Sequence, residues 1–578
     1  MNKKRISYQH NHRNSTMKQF SRRPLGVVAL FVIALFCLAG IYAPFLASSK
    51  PLTVWFDGEW YFPLFRYLFY TGFYSKPLDI FYNLLMFTLP LFILCFYAFG
   101  RQSRWRNISL GLILLVQLML FAYFTLKNPR DPASNRIIND SRSTQKTGKH
   151  KPLLETPKVL IWERELQQMT PYTKLNMLLS YRKQKLQNER LKSYEPAYAK
   201  EMEKRGLRDL TFIPTLWNLN QRNEADKIRR ESEIVSQHKN EYPQAKAWIS
   251  FIKETCSSND SGSGADHSQH SSLTCDFLPQ FEENNKGGIV RAKEIVDRYE
   301  AAQAKILYIE SKRAWLEENI LRLRYIVNPL LSPFHWEEDA GGNQTLNRHI
   351  GWLDLTRINR KDMMSALIFG IRISLSVGIT AVGLALAIGI PIGAISGFYG
   401  GTIDVVTYRL IEIWESMPTF FMLLMVVAFL KSKSILIIVA VIGLFGWTSF
   451  SRFVRGEFLR QKQLPYVEAC RAMGFNDAYI IFFHLLPNAI PPLLTLVPFA
   501  VMGAVTSEAG LSFLGLGEEG SGSWGVLMDE GRSAFPSESY LLWPPAILLT
   551  IFLVAIALTG DAFRDALDPK LHRSGDLE

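Results

Sequence analysis

Few residues of this chain are spaced for bond-making chemistry. Its five cysteines stand at 37, 95, 256, 275 and 470. No two have Cys-x-x-Cys spacing and no histidine cluster accompanies them, which argues against a zinc site. No Gly-x-x-x-x-Gly-Lys occurs, so no phosphate-cradling loop for a nucleotide is expected. His267 and His270 sit in a stretch rich in Ser, Gly and Asp and are expected to be solvated. No catalytic constellation, metal or other cofactor is expected. The informative stretch runs instead from Tyr466 to Asn488. Helix formers fill 466–473, and Gly474 allows the positive φ that ends a helix. Asn476 or Asp477 can cap a second helix, and Pro487 is expected to interrupt the chain at the edge of the next apolar span. Ala469, Cys470 and Ala472 are small, so another surface can approach closely. The chemistry of such a helix–turn–helix, lying between apolar spans, is recognition of a partner. An amphipathic loop resting on lipid headgroups has the same pattern.

Glu468-Ala469-Cys470, then Gly474, then His484-Leu-Leu486-Pro487-Asn488 resemble the EAA loop of ABC importer permeases. The resemblance implies a coupling helix that docks into a groove of an ATPase subunit. Glu468, Ala469, Cys470, Gly474, His484, Leu486 and Pro487 would be its coupling residues. The motif's third residue is usually Ala; Cys470 is comparably small. His484 stands where the general motif has Ile and is similar to the peptide-importer branch.

The rest of the chain must position this stretch. Net charge is +13 and the apolar fraction 48%, an average over long apolar and long charged runs. A polytopic membrane protein keeps Lys and Arg in its cytoplasmic loops, and no aromatic-plus-basic RNA motif appears, so nucleic acid is not an expected partner. Residues 1–23 are polar and basic and are expected to be a cytoplasmic tail. The run 24–46 is long enough to span a bilayer. It exceeds a signal peptide's apolar core and lacks a clear cleavage site, so an uncleaved first span is expected. The aromatic segment 47–77 contains Lys50-Pro-Leu-Thr-Val-Trp-Phe-Asp-Gly-Glu-Trp-Tyr-Phe-Pro63. Such aromatics suit an interfacial belt; the segment also resembles the stretch after the first span in the microcin C-type branch of peptide importer permeases. Residues 78–126 hold two apolar runs around Arg101, Arg104 and Arg106, an added membrane hairpin turning in the cytoplasm.

Residues 127–362 are charged and carry no run long enough to span, so an extracytoplasmic helical insertion is expected. An early helical region, about 160–204, has a break at Pro171. Ile295, Tyr299, Ala302, Ile306, Ile309, Leu316, Ile320, Leu323 and Val327 step by four and three, interrupted by Arg313. This predicts one seam helix over 289–327 in a helical hairpin or coiled-coil bundle. Cys256 and Cys275 flank a flexible loop in what would be an oxidising compartment. They are expected to form a disulfide, the alternative being two unpaired thiols at helix ends.

Residues 363–562 are expected to hold five spans, near 363–395, 410–430, 434–451, 489–507 and 541–560, with the coupling loop at 458–488 and a cytoplasmic tail at 563–578. Gly397, Gly400 and Gly401 predict a tight cytoplasmic turn. Glu412 and Glu415 are expected to form a headgroup-level polar cluster with Arg409. Pro491, Pro492 and Pro498 predict a kinked span, with Glu508 near its outer end. Met363 to Gly378, Gly397 to Gly401, Leu511 to Gly517, Ser523-Trp-Gly525 and Arg564 to Pro569 resemble dipeptide and oligopeptide permeases. The expected fold is an all-α polytopic membrane protein, a type I ABC importer permease core with the added hairpin and insertion. The resemblance implies a transport subunit of the inner membrane, the second permease of a peptide importer, and not an enzyme. Its partners would be a homologous permease, two ATPase subunits, an extracytoplasmic solute-binding protein and membrane lipid. A permease for nickel or another small solute, and an envelope scaffold acting through its coiled coil, are the alternatives.

Overall fold

The structure is a computed structural model that describes residues 20–21, 23–48, 50–69, 77–99, 103–127, 161–192, 196, 219–259, 279–330, 363–430, 434–518, 521–535 and 541–567. Helix α1 (Pro24–Ile41) and the short α2 (Ala43–Leu46) form the first apolar element. Strands β1 (Thr53–Phe56) and β2 (Glu59–Tyr61) follow, then α3 (Pro63–Tyr67). The hairpin is α4 (Pro77–Ala98) and α5 (Ser103–Lys127), joined across their faces by Thr88 donating to Gln117 at 2.8 Å.

The fold is not all-α. β1 pairs antiparallel with β2 and with β3 (Arg324–Val327), in the order β2-β1-β3. Asp57 and Gly58 turn the hairpin at φ 53° and 90°. Positive φ at both positions of a two-residue loop is the type I′ turn, whose twist matches that of the strands, and Asp-Gly supplies it. Alternation does the rest. Val54 and Phe56 point into a core with Tyr172, Leu175, Leu178 and Leu316, while Trp55 takes the other face.

The insertion comprises α6 (Trp162–Gln168), α7 (Pro171–Lys192), α8 (Leu219–His238), α9 (Tyr242–Asn259) and α10 (Pro279–Asn319). The expected break at Pro171 is present: α6 ends at Gln168 and Pro171 starts α7, where its missing N–H costs nothing. The predicted single seam over 289–327 is corrected in two ways. First, its neighbours change along its length. Ala292 and Val296 pack on Ala245 and Ile249, and Tyr299 stacks on Tyr242 at 4.0 Å. Farther along, Tyr308 and Trp315 pack instead on Trp162 of α6. Second, the helix stops at Asn319. Leu323 follows a single 3-10 turn, and Val327 lies in β3, where the β-branched pair Ile326–Val327 suits a strand. Hydrogen bonds to Tyr242 and Glu300 hold the exposed Lys246 ammonium above its ordinary pKa. Cys256 falls within α9 and Cys275 lies outside the described residues, so the expected disulfide is not described.

The core comprises α11 (Met363–Tyr399), α12 (Gly401–Glu415), α13 (Thr419–Leu430), α14 (Ile435–Gln461), α15 (Pro465–Ala472), α16 (Asp477–Ile480), α17 (Leu486–Leu494), α18 (Val497–Leu511), α19 (Trp524–Ser533) and α20 (Trp543–Leu567). Eight helices among the described residues are long and apolar enough to cross a membrane, or nine if one bent pair counts as a span. They are not the eight expected. The run near 410–430 is split between α12 and α13 at a 73° bend, while 477–494 qualifies as one continuous helix. The break among the prolines falls at Thr495–Leu496, between α17 and α18.

Candidate functional site

Helices α11 and α14 are the frame on which residues 465–494 rest. Gly389, Gly393 and Gly397 form a stripe at i+4 spacing on α11. A Cβ on them would stand 2.6 Å from the Trp447 carbonyl oxygen, 2.4 Å from that of Ser451 and 2.7 Å from the Phe458 Cβ, respectively. Without side chains there, the two backbones come together as membrane helices do at small residues. Gly397 is therefore a packing residue inside a helix that runs to Tyr399, not part of the expected turn. Gly400 and Gly401, at φ 66° and 56°, make that turn alone. Asp404 just beyond it accepts from Ser396 Oγ at 2.6 Å and Arg455 Nη2 at 2.7 Å, which ties the turn to α14.

The chain leaves α14 at Lys462 and re-enters helix at Pro465. Met473 closes α15, and Gly474 follows at φ 78°. Gly474 N donates to Arg471 O at 2.9 Å, and Phe475 N donates to Cys470 O at 3.2 Å. That pair of bonds is the Schellman closure, which satisfies carbonyls that a helix end leaves orphaned. Asn476, not Asp477, is the cap of the next helix: its side chain accepts from Ala478 N at 3.1 Å. That helix passes through a π turn at Ile481–Leu485 directly into α17. Pro487 does not end the helix; it lies just past the π turn, inside the continuous run 477–494.

One face of this unit is fixed and the other open. Val467, Cys470, Ile480, Ile481 and Leu485 are buried with Phe398 of α11 and Phe458 of α14. Cys470 is thus an anchor and not an approach surface. Glu468, Ala469, Gly474 and Pro487 are exposed, and Leu486 and His484 are half-buried. Asn488 Nδ2 bonds the His484 carbonyl at 2.9 Å. Around these residues lies an aromatic surface that the motif does not contain. Phe475 stacks on Tyr479 at 5.0 Å, and Tyr479 on Phe483 at 4.8 Å. Phe482, Phe483 and Met473 are more than 60% exposed. This apolar area lies beside Glu468, Arg471 and Asp477, and its part on Tyr479, Phe482 and Phe483 belongs to a helix apolar enough to cross a membrane. The i, i+4 spacing of Phe475, Tyr479 and Phe483 was present in the sequence and could have disclosed it.

A second polar site lies at the far end of α11. Arg372 is 1% exposed. Its Nε donates to Gly40 O at 2.7 Å, Nη1 to Asp79 Oδ1 at 3.1 Å, and Nη2 to Ile41 O at 3.2 Å and Asn83 Oδ1 at 3.0 Å. The guanidinium also sits over Tyr82 and Phe369. One side chain thus joins α1, α4 and α11. Sequence reasoning passed over Arg372 and Asp79, although a charge within an apolar run is the signal to follow. Nearby in the core, buried Glu508 Oε1 accepts from Ser512 Oγ at 2.7 Å and Ser523 Oγ at 2.6 Å, pinning α18 to the start of α19. Glu412 pairs with Arg409 at 2.6 Å as expected, whereas Glu415 pairs with Arg452 of α14.

Residues 389–573 match the family described as binding-protein-dependent transport system inner membrane component, and 14–61 match the N-terminal membrane domain of oligopeptide transport permease C. The chain is 36% identical over 223 residues to the peptidoglycan transport system permease protein YejE of Agrobacterium fabrum, covering 38% of this chain and 58% of that one. It is 32% identical over 293 residues to the oligopeptide transport system permease protein OppC of Haemophilus influenzae, covering 48% of this chain and 94% of that one. Among solved structures, an inward-facing MetNI methionine ABC transporter matches at 20% identity and a TM-score of 0.31, over 36% of this chain and 98% of that one.

Proposed function

The chain belongs to the family of binding-protein-dependent transport system inner membrane components, and from that premise we propose that it is the permease subunit of an ATP-driven importer of peptides or peptide-like compounds. The observation that carries this reading is the unit 465–494: an open aromatic face closed by the Gly474 turn and backed by α11 and α14. It is the surface on which an ATPase subunit would dock, with Glu468, Ala469, Gly474, His484, Leu486 and Pro487 at or beside the contact and Cys470 holding the helix beneath it. A homologous permease, two ATPase subunits and an extracytoplasmic binding protein would complete the importer. The amino terminus would face the cytoplasm, and the insertion the opposite side. The peptide class is supported by the names of the relatives, and the microcin C-type branch by residues 50–63.

The mechanism is alternating access. ATP-driven closure of the ATPases would displace 465–494, and the packed pair α11/α14 would move with it. The ATPases drive transport only if they bind the two permease conformations with different affinity. Gly474→Val tests the docking role. No atom lies within 4 Å of a Cβ at Gly474, so the strain comes from the backbone, roughly 1–2 kcal/mol for an L-residue at this φ. Glu468→Lys reverses a charge in the first turn of α15, where the helix dipole favours a carboxylate. Both variants are expected to reach the membrane and to lose peptide uptake while ATP hydrolysis continues. Wild-type uptake with wild-type, cargo-stimulated hydrolysis in both would refute the role.

A further inference from the structure

The two faces of the sheet differ in chemistry. Val54, Phe56, Tyr61 and Ile326 pack into the core of the insertion. The opposite face carries Trp55, its cross-strand partners Trp60 and Arg324, and, two residues past Trp60, Phe62. A bulge adds Tyr325. Thr53 pairs with Val327 and Trp55 with Arg324, so Tyr325 and Ile326 together stand opposite Val54. Ile326 turns inward. Tyr325 takes φ 48°, a strained conformation for a bulky residue, and its ring lies 5.9 Å from that of Trp60. Trp60 is 51% exposed and Tyr325 71%.

This face continues into the wall of the membrane helices. Phe62 meets Phe65 at 6.3 Å, and Phe65 meets Phe87 of α4 at 6.3 Å. Phe87 stands about ten residues from the start of α4 at Pro77, which is about 15 Å along an apolar span. Phe65 also meets Phe45 at 5.8 Å, and Leu330 N bonds Phe45 O at 3.3 Å, so both ends of the sheet's connections return to the end of the first span. From Phe62 to Trp60 the strand rises only about 7 Å. The polar layer of a bilayer is about 5–8 Å thick on each side. Indole, phenol and guanidinium groups held at that height have the chemistry of the headgroup layer: rings with an apolar body and a polar edge, and a cation for phosphate.

We propose that the face formed by Trp55, Trp60, Phe62, Arg324 and Tyr325 lies in the phospholipid headgroup layer of the leaflet on the insertion's side. The sheet is then a foot: β3, the end of the insertion, is clamped to β1 and β2, and the helical insertion is seated on the bilayer. The strained Tyr325 serves this contact, because only the bulge brings its ring onto the lipid face.

Nitroxide labels read this directly in the full-length protein in phosphatidylcholine nanodiscs, after the five native cysteines are replaced. Labels are placed singly at Trp60→Cys and Tyr325→Cys, so that failure of one variant to fold leaves the other. Phe87→Cys gives the membrane reference and the exposed Leu307→Cys of α10 the aqueous one. Collision rates with oxygen and with a water-soluble nickel chelate are compared. The foot labels are expected to show an oxygen-to-nickel balance between the two references. A balance equal to that of Leu307→Cys, or shielding from both reagents by a covering protein, would overturn the proposal.

Discussion

Removing the carboxylate from Asp79 should undock the added hairpin from the core. Arg372 remains charged under all ordinary conditions, and at 1% exposure it cannot recover its hydration. Asp79→Ala removes the carboxylate 3.1 Å from the guanidinium; the Gly40 and Ile41 carbonyls and the Asn83 amide oxygen, which also accept from it, are neutral dipoles. Breaking one side of a buried pair costs about 3–5 kcal/mol, most of it the penalty of the stranded charge. The double variant Asp79→Ala/Arg372→Met removes that charge. It should therefore be more stable than Asp79→Ala alone, with a coupling on the order of 1–3 kcal/mol. The pair Tyr82 and Ser376, whose hydroxyls are 3.0 Å apart, offers a local reporter. With cysteines at both positions, a short bifunctional thiol reagent that spans the room left by the tyrosine ring should crosslink efficiently in the parent, poorly with Asp79→Ala and with partial recovery in the double variant. The midpoint of heat-induced loss of the monodisperse peak in detergent should follow the same order. Parent-like crosslinking and melting in Asp79→Ala would refute the clamp, and so would a double variant no better than the single.

Two further outcomes follow from the same geometry and from the expected compartment. Gly393→Ala places its Cβ 2.4 Å from the Ser451 carbonyl oxygen and should force α11 and α14 apart, costing about 1–3 kcal/mol, whereas the Cβ of Gly383→Ala on the same helix meets nothing within 4 Å and that variant should melt no lower than the parent. Cys256 and Cys275 should be recovered as a disulfide by mass spectrometry of non-reduced protein from its native envelope, and reduction should lower the insertion's stability by about 3 kcal/mol for a loop of about 20 residues; free thiols at both positions would remove the bridge.

What was legible in the sequence was local. The Gly474 turn needed only one residue that tolerates positive φ and a capping side chain after it, both visible in the order of residues. The long apolar helices were visible for the same reason. Gly397 was misread because turn glycines and packing glycines look alike until the partner helix is known; here that partner is the Arg455–Phe458 backbone of α14. The seam predicted over 289–327 holds as a buried helix face only as far as Asn319, and periodicity records that a face is buried, not what buries it. One part of that face meets α9 and another meets α6 and α7. The sheet was missed although Asp57-Gly58 between alternating residues is a strong hairpin signal. Its third strand lies more than 260 residues away, and no local pattern in the chain joins them.

Helix α11 connects these observations. Its 37 residues make a rod about 55 Å long. At one end Phe398 lies under α15 and the π turn; toward the other, Arg372 holds the hairpin and the end of the first span. Between them the glycine stripe keeps α14 in backbone contact, and close-packed interfaces of this kind shift between discrete arrangements more readily than they stretch. A load applied at 465–494 is therefore carried by α11 and α14 together. The added elements are not passive cargo on that rod, because the clamp fixes α4 to it, and Phe65 and Phe87 tie α4 to the segment bearing the sheet. If α11 tilts during transport, the hairpin must tilt with it or the buried ion pair must open at a cost of several kcal/mol. The geometry favours the first, so hairpin, sheet and core should move as one body on that side of the membrane.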